Sequence, residues 1–211
     1  MLRELYKLRK RLKLRLSRLR RLLIKPSLPK NADGKVLVHV GCGEKNSAEF
    51  INVDARPLAH VHIVTEDMTC LSDFADGTVD LVYMCHVLEH VKRANLKDVL
   101  LEMKRILKDG GVLRLSVPDF DKLIDVYNAS GRKMETISHQ LMGGQDHEHN
   151  IHYCVFNCRR LSELLEEVGF RKVVSWDPEN CQHHNFKDRA SRKMNIDGVE
   201  YMISLNLEAV K

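Results

Sequence analysis

The chain has 211 residues, 44% of them hydrophobic and 30% charged, the proportions of a globular domain able to bury one sizeable core. No apolar run approaches the ~18 residues of a membrane span. The six cysteines (Cys42, Cys70, Cys85, Cys154, Cys158, Cys181) resemble no secreted disulfide framework, and a reducing, cytoplasmic setting is expected.

The formal charge of +5 conceals an asymmetry. Residues 1–30 hold twelve Lys/Arg against Glu4 alone, whereas the other 22 basic and 28 acidic side chains leave residues 31–211 mildly acidic. In MLRELYKLRKRLKLRLSRLRRLLIKP, Leu5, Leu8, Leu12, Leu16, Leu19 and Leu23 fall on one narrow stripe at helical period, free of Lys and Arg. Leu14 lies off it, and Pro26 and Pro29 end the helix. Three roles fit such an arm: packing on the domain or on a second copy, as in a homo-oligomer; lying on an anionic membrane; or gripping a polyanion. Tyr6 is its one aromatic residue, which disfavours nucleic acid. An Arg- and Leu-rich, acid-poor start also suits a mitochondrial transit peptide, whereas the uninterrupted apolar segment of a secretory signal is missing.

Beyond the arm the pattern predicts strands at Lys35–Val40, Ile51–Asp54, His60–Thr65 and Thr78–Cys85. A helix follows, with Asn95 and Asp98 spaced as a capping pair and Gly110–Gly111 after its end. Next come a strand at Val112–Pro118, helices near Phe120–Asn128, Lys133–Leu141 and Leu161–Val168, and strands at Lys172–Trp176 and Tyr201–Val210. Alternating strands and helices predict a doubly wound, Rossmann-like α/β fold. Its mostly parallel sheet would carry an antiparallel edge strand, and the basic N-terminal helix would be an appendage.

The first strand runs into Gly41-Cys42-Gly43, and the second ends in Asp54. In open α/β sheets ligands bind outside the carboxyl ends of the strands. Glycines there admit a close backbone approach, and an acid ending the second strand holds ribose hydroxyls. The dinucleotide fingerprint is incomplete, because Asn46 stands at the third glycine's place and Asp54 comes early. Only Gly41–Phe50 joins the two strands, so the crossover helix is expected to shrink to about a turn.

VLVHVGCG, INVD, EDMTCLSDFADGTVDLVYMCHVLEHV and LLEMKRILKDGGVLRLSVPD together resemble class I S-adenosylmethionine-dependent methyltransferases over about Lys35–Pro118. GGQDHEHNIHY adds similarity to short members associated with cell-surface polysaccharide synthesis. The resemblance implies S-adenosylmethionine as cofactor. Gly41 and Gly43 would pass its methionine part, Asp54 hold the ribose, Asp67 meet the adenine amino group, Met68 lie against the ring, and His86 sit near the methionyl end. Where the family often has an acid two residues before the first glycine, this chain has His39.

Methylating a hydroxyl benefits from a base, and histidine suits that task near neutral pH. Histidines gather in CHVLEH (His86, His90), DHEHNIHY (His147, His149, His152) and CQHHNF (His183, His184). His90 and His152 are the catalytic candidates. His183 and His184 read as structural, Glu89 as orienting His90 or opening a helix, and Asp119 as a substrate contact or a helix cap. No metal is expected, because Cys154 and Cys158 are not CxxC and no second matching pair exists. The leading function is methylation of a hydroxyl on a sugar or glycan, free, nucleotide-linked or lipid-linked, with the arm holding the enzyme at the membrane's inner face. The alternatives are RNA or protein as acceptor, or a non-catalytic scaffold.

Overall fold

β1 (Leu37–Val40) is buried along its whole length and β4 (Val79–Cys85) along most of it, the pattern of central parallel strands covered on both faces. The computed structural model describes residues 12, 16–17, 19–21, 23–29, 31–146 and 149–211. Leu5, Leu8, Leu14 and His147 lie outside the described residues. β2 (Ile51–Asp54), β3 (Ile63–Val64) and β5 (Leu107–Pro118) extend the parallel set, and β9 (Ser204–Val210) and β6 (Arg171–Ser175) complete the sheet. The seven-stranded order is β3-β2-β1-β4-β5-β9-β6. β9 runs antiparallel to both neighbours, so the antiparallel pair closes that side with the largely exposed β6 outermost. The order reverses between β1 and β4, the switch point of an open sheet.

Four α-helices accompany the sheet among the described residues: α1 (Leu96–Ile106), α2 (Phe120–Ala129), α3 (Met134–Met142) and α4 (Cys158–Glu167). Helical spacing lets Leu96, Val99, Leu100, Met103 and Ile106 of α1 bury one face. Asp119 caps α2 by accepting the Asp121 N–H at 3.2 Å, and Asn157 caps α4 through the Arg160 N–H at 3.0 Å. Asn95 caps nothing. It ends a 3₁₀ turn (Arg93–Asn95) that feeds directly into α1, so its backbone is already helical.

Gly41–Phe50 contains turns and no helix, close to the single turn to which the crossover helix was expected to shrink. Other expectations change. The segment between β3 and β4 is likewise built of turns, tied down by Glu102, which accepts the Leu71 N–H, and by Arg105, which donates to the carbonyls of Leu71 and Phe74. β3 is only two residues long. The predicted last strand breaks at Ile203, whose N–H donates to Arg192 O. Its first part is β8 (Val199–Met202), which forms a separate hairpin with β7 (Lys193–Ile196) around Asp197-Gly198, both at positive φ.

Candidate cofactor crevice and acceptor site

The turn after β1 sits at the switch point. The N–H groups of Gly41 and Cys42 both donate to Val53 O, at 2.8 and 3.1 Å, which binds the turn to β2. Gly41 has φ +68°, and a Cβ there would overlap Val87 just after β4, so glycine is required for both conformation and space. Gly43, at φ +59°, donates its N–H to Asp54 Oδ2 at 2.7 Å. Asp54 Oδ1 accepts from the Arg56 backbone at 2.9 Å and from its Nε at 3.0 Å. A carboxylate has about four acceptor positions, so three are taken. As an acceptor the carboxylate fits ribose hydroxyls, and full capture of both requires Arg56 to swing aside. His60 closes the same turn, donating from Nε2 to Gly43 O at 3.0 Å.

His39 is no part of this crevice. It is 2% exposed, bonded through Nδ1 to Ser47 Oγ at 3.0 Å, and packed among Phe50, Tyr83 and Phe186. Burial lowers its pKa from 6.5 to about 4, against the opposing charges of Asp188 and Asp54, so the ring is neutral. Asp67 is exposed, and its Oδ1 accepts from the N–H and hydroxyl of Thr69 at 2.8 and 2.6 Å, bonds that lower its pKa. Met68 packs half-buried on the main core.

His86 leaves β4 at φ +54°, an uncommon conformation for a side chain larger than glycine's. Its side chain is 5% exposed, with Nε2 3.0 Å from Ser204 Oγ and Nδ1 3.1 Å from Glu89 Oε1. The 3₁₀ turn Leu88–His90 then presents His90. The loop after α3 returns to it because Gly143 and Gly144 leave room for Asn150 to fold onto them. A Cβ on either glycine would strike Asn150. Gln145 N–H donates to Asn150 O, and Tyr153 N–H to Glu89 O, both bonds anchoring the return.

His90 and His152, far apart in sequence, thereby meet edge to face with ring centroids 4.6 Å apart. Burial holds both imidazoles below their usual range, and the Glu89 charge opposes that shift. Arg189 and Arg192 bear electrostatically on this region, the former on His90 and both on His139. Sequence reading passed over this arginine pair and over Arg56. The GGQ…N.H spacing was the readable signal for the loop.

The other candidates are structural. His184 is buried between Tyr83, Trp176 and Asp188, with Nδ1 donating to Pro178 O at 2.8 Å. His183 lies between Glu49 and Asp33. Asp119 is a helix cap, and Cys154 turns its thiol toward Val91 O. A cavity of about 450 Å³ opens at the opposite end of the sheet, where Lys108 pairs with Asp80 and Arg114 with Glu208.

Comparison with known proteins agrees with this fold. Residues 7–175 match the family model described as "Methyltransferase domain". No curated protein matches the chain in sequence. Among solved structures, a S-adenosylmethionine-dependent methyltransferase from Thermotoga maritima, described as a possible histamine N-methyltransferase, is similar at TM-score 0.53 and 17% identity, over 98% of this chain and 95% of that one. A S-adenosylmethionine-dependent methyltransferase from Archaeoglobus fulgidus gives 0.52 at 18% identity, over 96% and 94%. One from Methanosarcina mazei gives 0.52 at 16%, over 88% and 94%. Family and fold together imply S-adenosylmethionine as the cofactor, and the chain belongs to the methyltransferase-domain family.

Proposed function

We propose that the chain methylates a hydroxyl of a sugar or glycan, with S-adenosylmethionine as methyl donor. The observation that carries the reading is the His90–His152 pair beyond β4, two neutral imidazoles whose Nδ1 atoms are committed to main-chain carbonyls, leaving Nε2 of each without a proton. When bound, S-adenosylmethionine supplies an electrophilic methyl that is displaced in line, the C–S electron pair leaving on sulfur. In this reading Gly41 and Gly43 receive its methionine part and Asp54 its ribose. Asp67 and Met68 meet the adenine, and His86 lies toward the methionyl end. The unprotonated Nε2 atoms ease loss of the acceptor's proton.

Arg189 and Arg192 support an acceptor that carries phosphate, as a nucleotide- or lipid-linked sugar does. Neither pairs with a carboxylate among the described residues, and Arg192 is half-buried. Labelled S-adenosylmethionine incubated with sugar nucleotides and with polyprenyl-phosphate-linked glycans tests this. Incorporation that His152→Gln abolishes supports the reading. Label entering only RNA or protein moves the acceptor to that class, and an absence of both cofactor binding and incorporation leaves a scaffold.

The N-terminal arm supports a place at an anionic membrane surface. The described residues from Leu12 to Leu23 are helical and attach to the domain by their polar side. Ser17 Oγ accepts the Ala59 N–H at 2.8 Å, and Arg21 donates to Val61 O at 2.8 Å and His62 O at 3.1 Å. These two residues lie roughly 140–180° round the helix from the leucine stripe. Leu12, Leu16, Leu19 and Leu23 are each more than half exposed as a result. An apolar stripe turned outward and flanked by Lys and Arg suits insertion among acidic headgroups. It would hold the crevice beside a lipid-linked acceptor.

A further inference from the structure

The turn after β4 holds a carboxylate that methyl transfer alone leaves unexplained. Glu89 is fully buried, and neither carboxylate oxygen has a hydrogen-bond partner among the described residues. His86 Nδ1 lies 3.1 Å from Oε1, and Oε2 has no such contact. A buried carboxylate in that state is costly unless a cation or several donors meet it. His90 and His152 face it, and one ligand atom from each of the three residues lies within 4.8 Å of the others. Both rings are held from behind, Nδ1 of His90 donating to Ile151 O at 3.0 Å and Nδ1 of His152 to Gln140 O at 2.9 Å. Carbonyls only accept, so the tautomer is fixed and Nε2 is the nitrogen left to coordinate. Metal-ligating histidines are oriented by this kind of second-sphere contact.

We propose that Glu89, His90 and His152 bind a divalent transition-metal ion, zinc being the best match, and that the acceptor hydroxyl occupies its open position. The ion's role rests on the O-methyltransferase reading; the ion site itself does not. Two imidazoles and one carboxylate are a known zinc donor set, and three protein ligands leave a position free for substrate. Bonds of ~2.0–2.1 Å put tetrahedral ligands roughly 3.3 Å apart, so binding draws the three groups together by up to about 1.5 Å, on the scale of side-chain rotation. At the open position the hydroxyl is acidified, and its proton passes to solvent. The oxygen pair then forms the C–O bond as the methyl C–S bond breaks with its pair on sulfur. No electron is exchanged with the metal. The two histidines act by holding the ion, in place of taking the proton.

The test uses untagged, full-length protein treated with chelator and dialysed, then titrated with ZnCl₂ by calorimetry and with CoCl₂ while visible absorption is followed. S-adenosylhomocysteine is titrated into the same samples. One ion per chain is expected, with cobalt bands of a low-coordinate site. Glu89→Gln, His90→Gln and His152→Gln should each weaken binding by at least the about 10- to 100-fold that loss of a second-sphere partner costs. His183→Gln should leave it unchanged. Urea unfolding identifies any variant that fails to fold, and the remaining two then decide. S-adenosylhomocysteine binding without stoichiometric zinc overturns the metal site and leaves methyl transfer standing. Zinc binding without S-adenosylhomocysteine keeps the site and removes its role in methyl transfer. Equal zinc affinity in all folded variants puts the ion elsewhere and overturns the proposal.

Discussion

Replacing His39 by glutamine should flatten the acid sensitivity of folding without touching cofactor binding. The ring is 2% exposed, and burial lowers its pKa from 6.5 to about 4. Between those values the unfolded chain takes up a proton that the folded chain refuses, so stability is full above pH 6.5 and falls as pH drops toward 4. At about 1.4 kcal/mol per pKa unit, the loss from His39 alone is about 3 kcal/mol over the whole window, and about 2 kcal/mol between pH 7.5 and 5. His60, His62, His90, His139 and His152 are lowered in the same direction, so the wild-type dependence is steeper still. The difference between wild type and variant isolates the His39 share. Urea unfolding at pH 7.5 and 5 measures it, with S-adenosylhomocysteine calorimetry alongside. Equal pH dependence in the two proteins would refute the buried, neutral histidine. A large loss of affinity in the variant would return His39 to the cofactor site, where the family often has an acid.

Gly41→Ala should cost about 2–4 kcal/mol by urea unfolding, since it adds a strained backbone to a clash with Val87, whereas Gly110→Ala, at φ +80° in open space, should cost about 1 kcal/mol. Equal costs at the two sites would deny the close packing of the GCG turn on Val87. Arg56→Ala releases one acceptor position on Asp54 and should tighten S-adenosylhomocysteine a few-fold by calorimetry; weaker binding would make Arg56 a ligand. Leu16→Glu with Leu19→Glu should abolish sedimentation with liposomes of phosphatidylglycerol and leave the melting temperature unchanged, because both side chains are exposed. Undiminished sedimentation would rule out the leucine stripe as the contact.

What could be read in advance was whatever depends on local pattern. The apolar-rich runs of β1 and β4, the span of β2 and the helical period of α1 are local, and all were legible. The pairing of His90 with His152 was not, because a fold-back of Asn150 on Gly143 and Gly144 creates it. The burial of His39 was hidden too: β1 is covered on both faces, so no alternation marks which side chain points into the aromatic cluster. The β7–β8 hairpin is a different case. Its Asp197-Gly198 turn is a strong local signal that was overlooked, and the apolar-rich stretch Tyr201–Val210 carries no Gly or Pro to mark the break at Ile203. The segment before β4 holds turns and no helix, because Glu102 and Arg105 of α1 satisfy its backbone, a contact that no local pattern announces.

The central claim is that the crevice at the β1–β4 switch point binds S-adenosylmethionine through Asp54. Calorimetric titration of S-adenosylmethionine and S-adenosylhomocysteine into the wild type and into Asp54→Asn, with urea unfolding of both, tests it most directly. Micromolar binding by the wild type, weakened at least about tenfold in a variant that still folds, is the predicted result. No binding by the wild type, or equal binding by the variant, would contradict it.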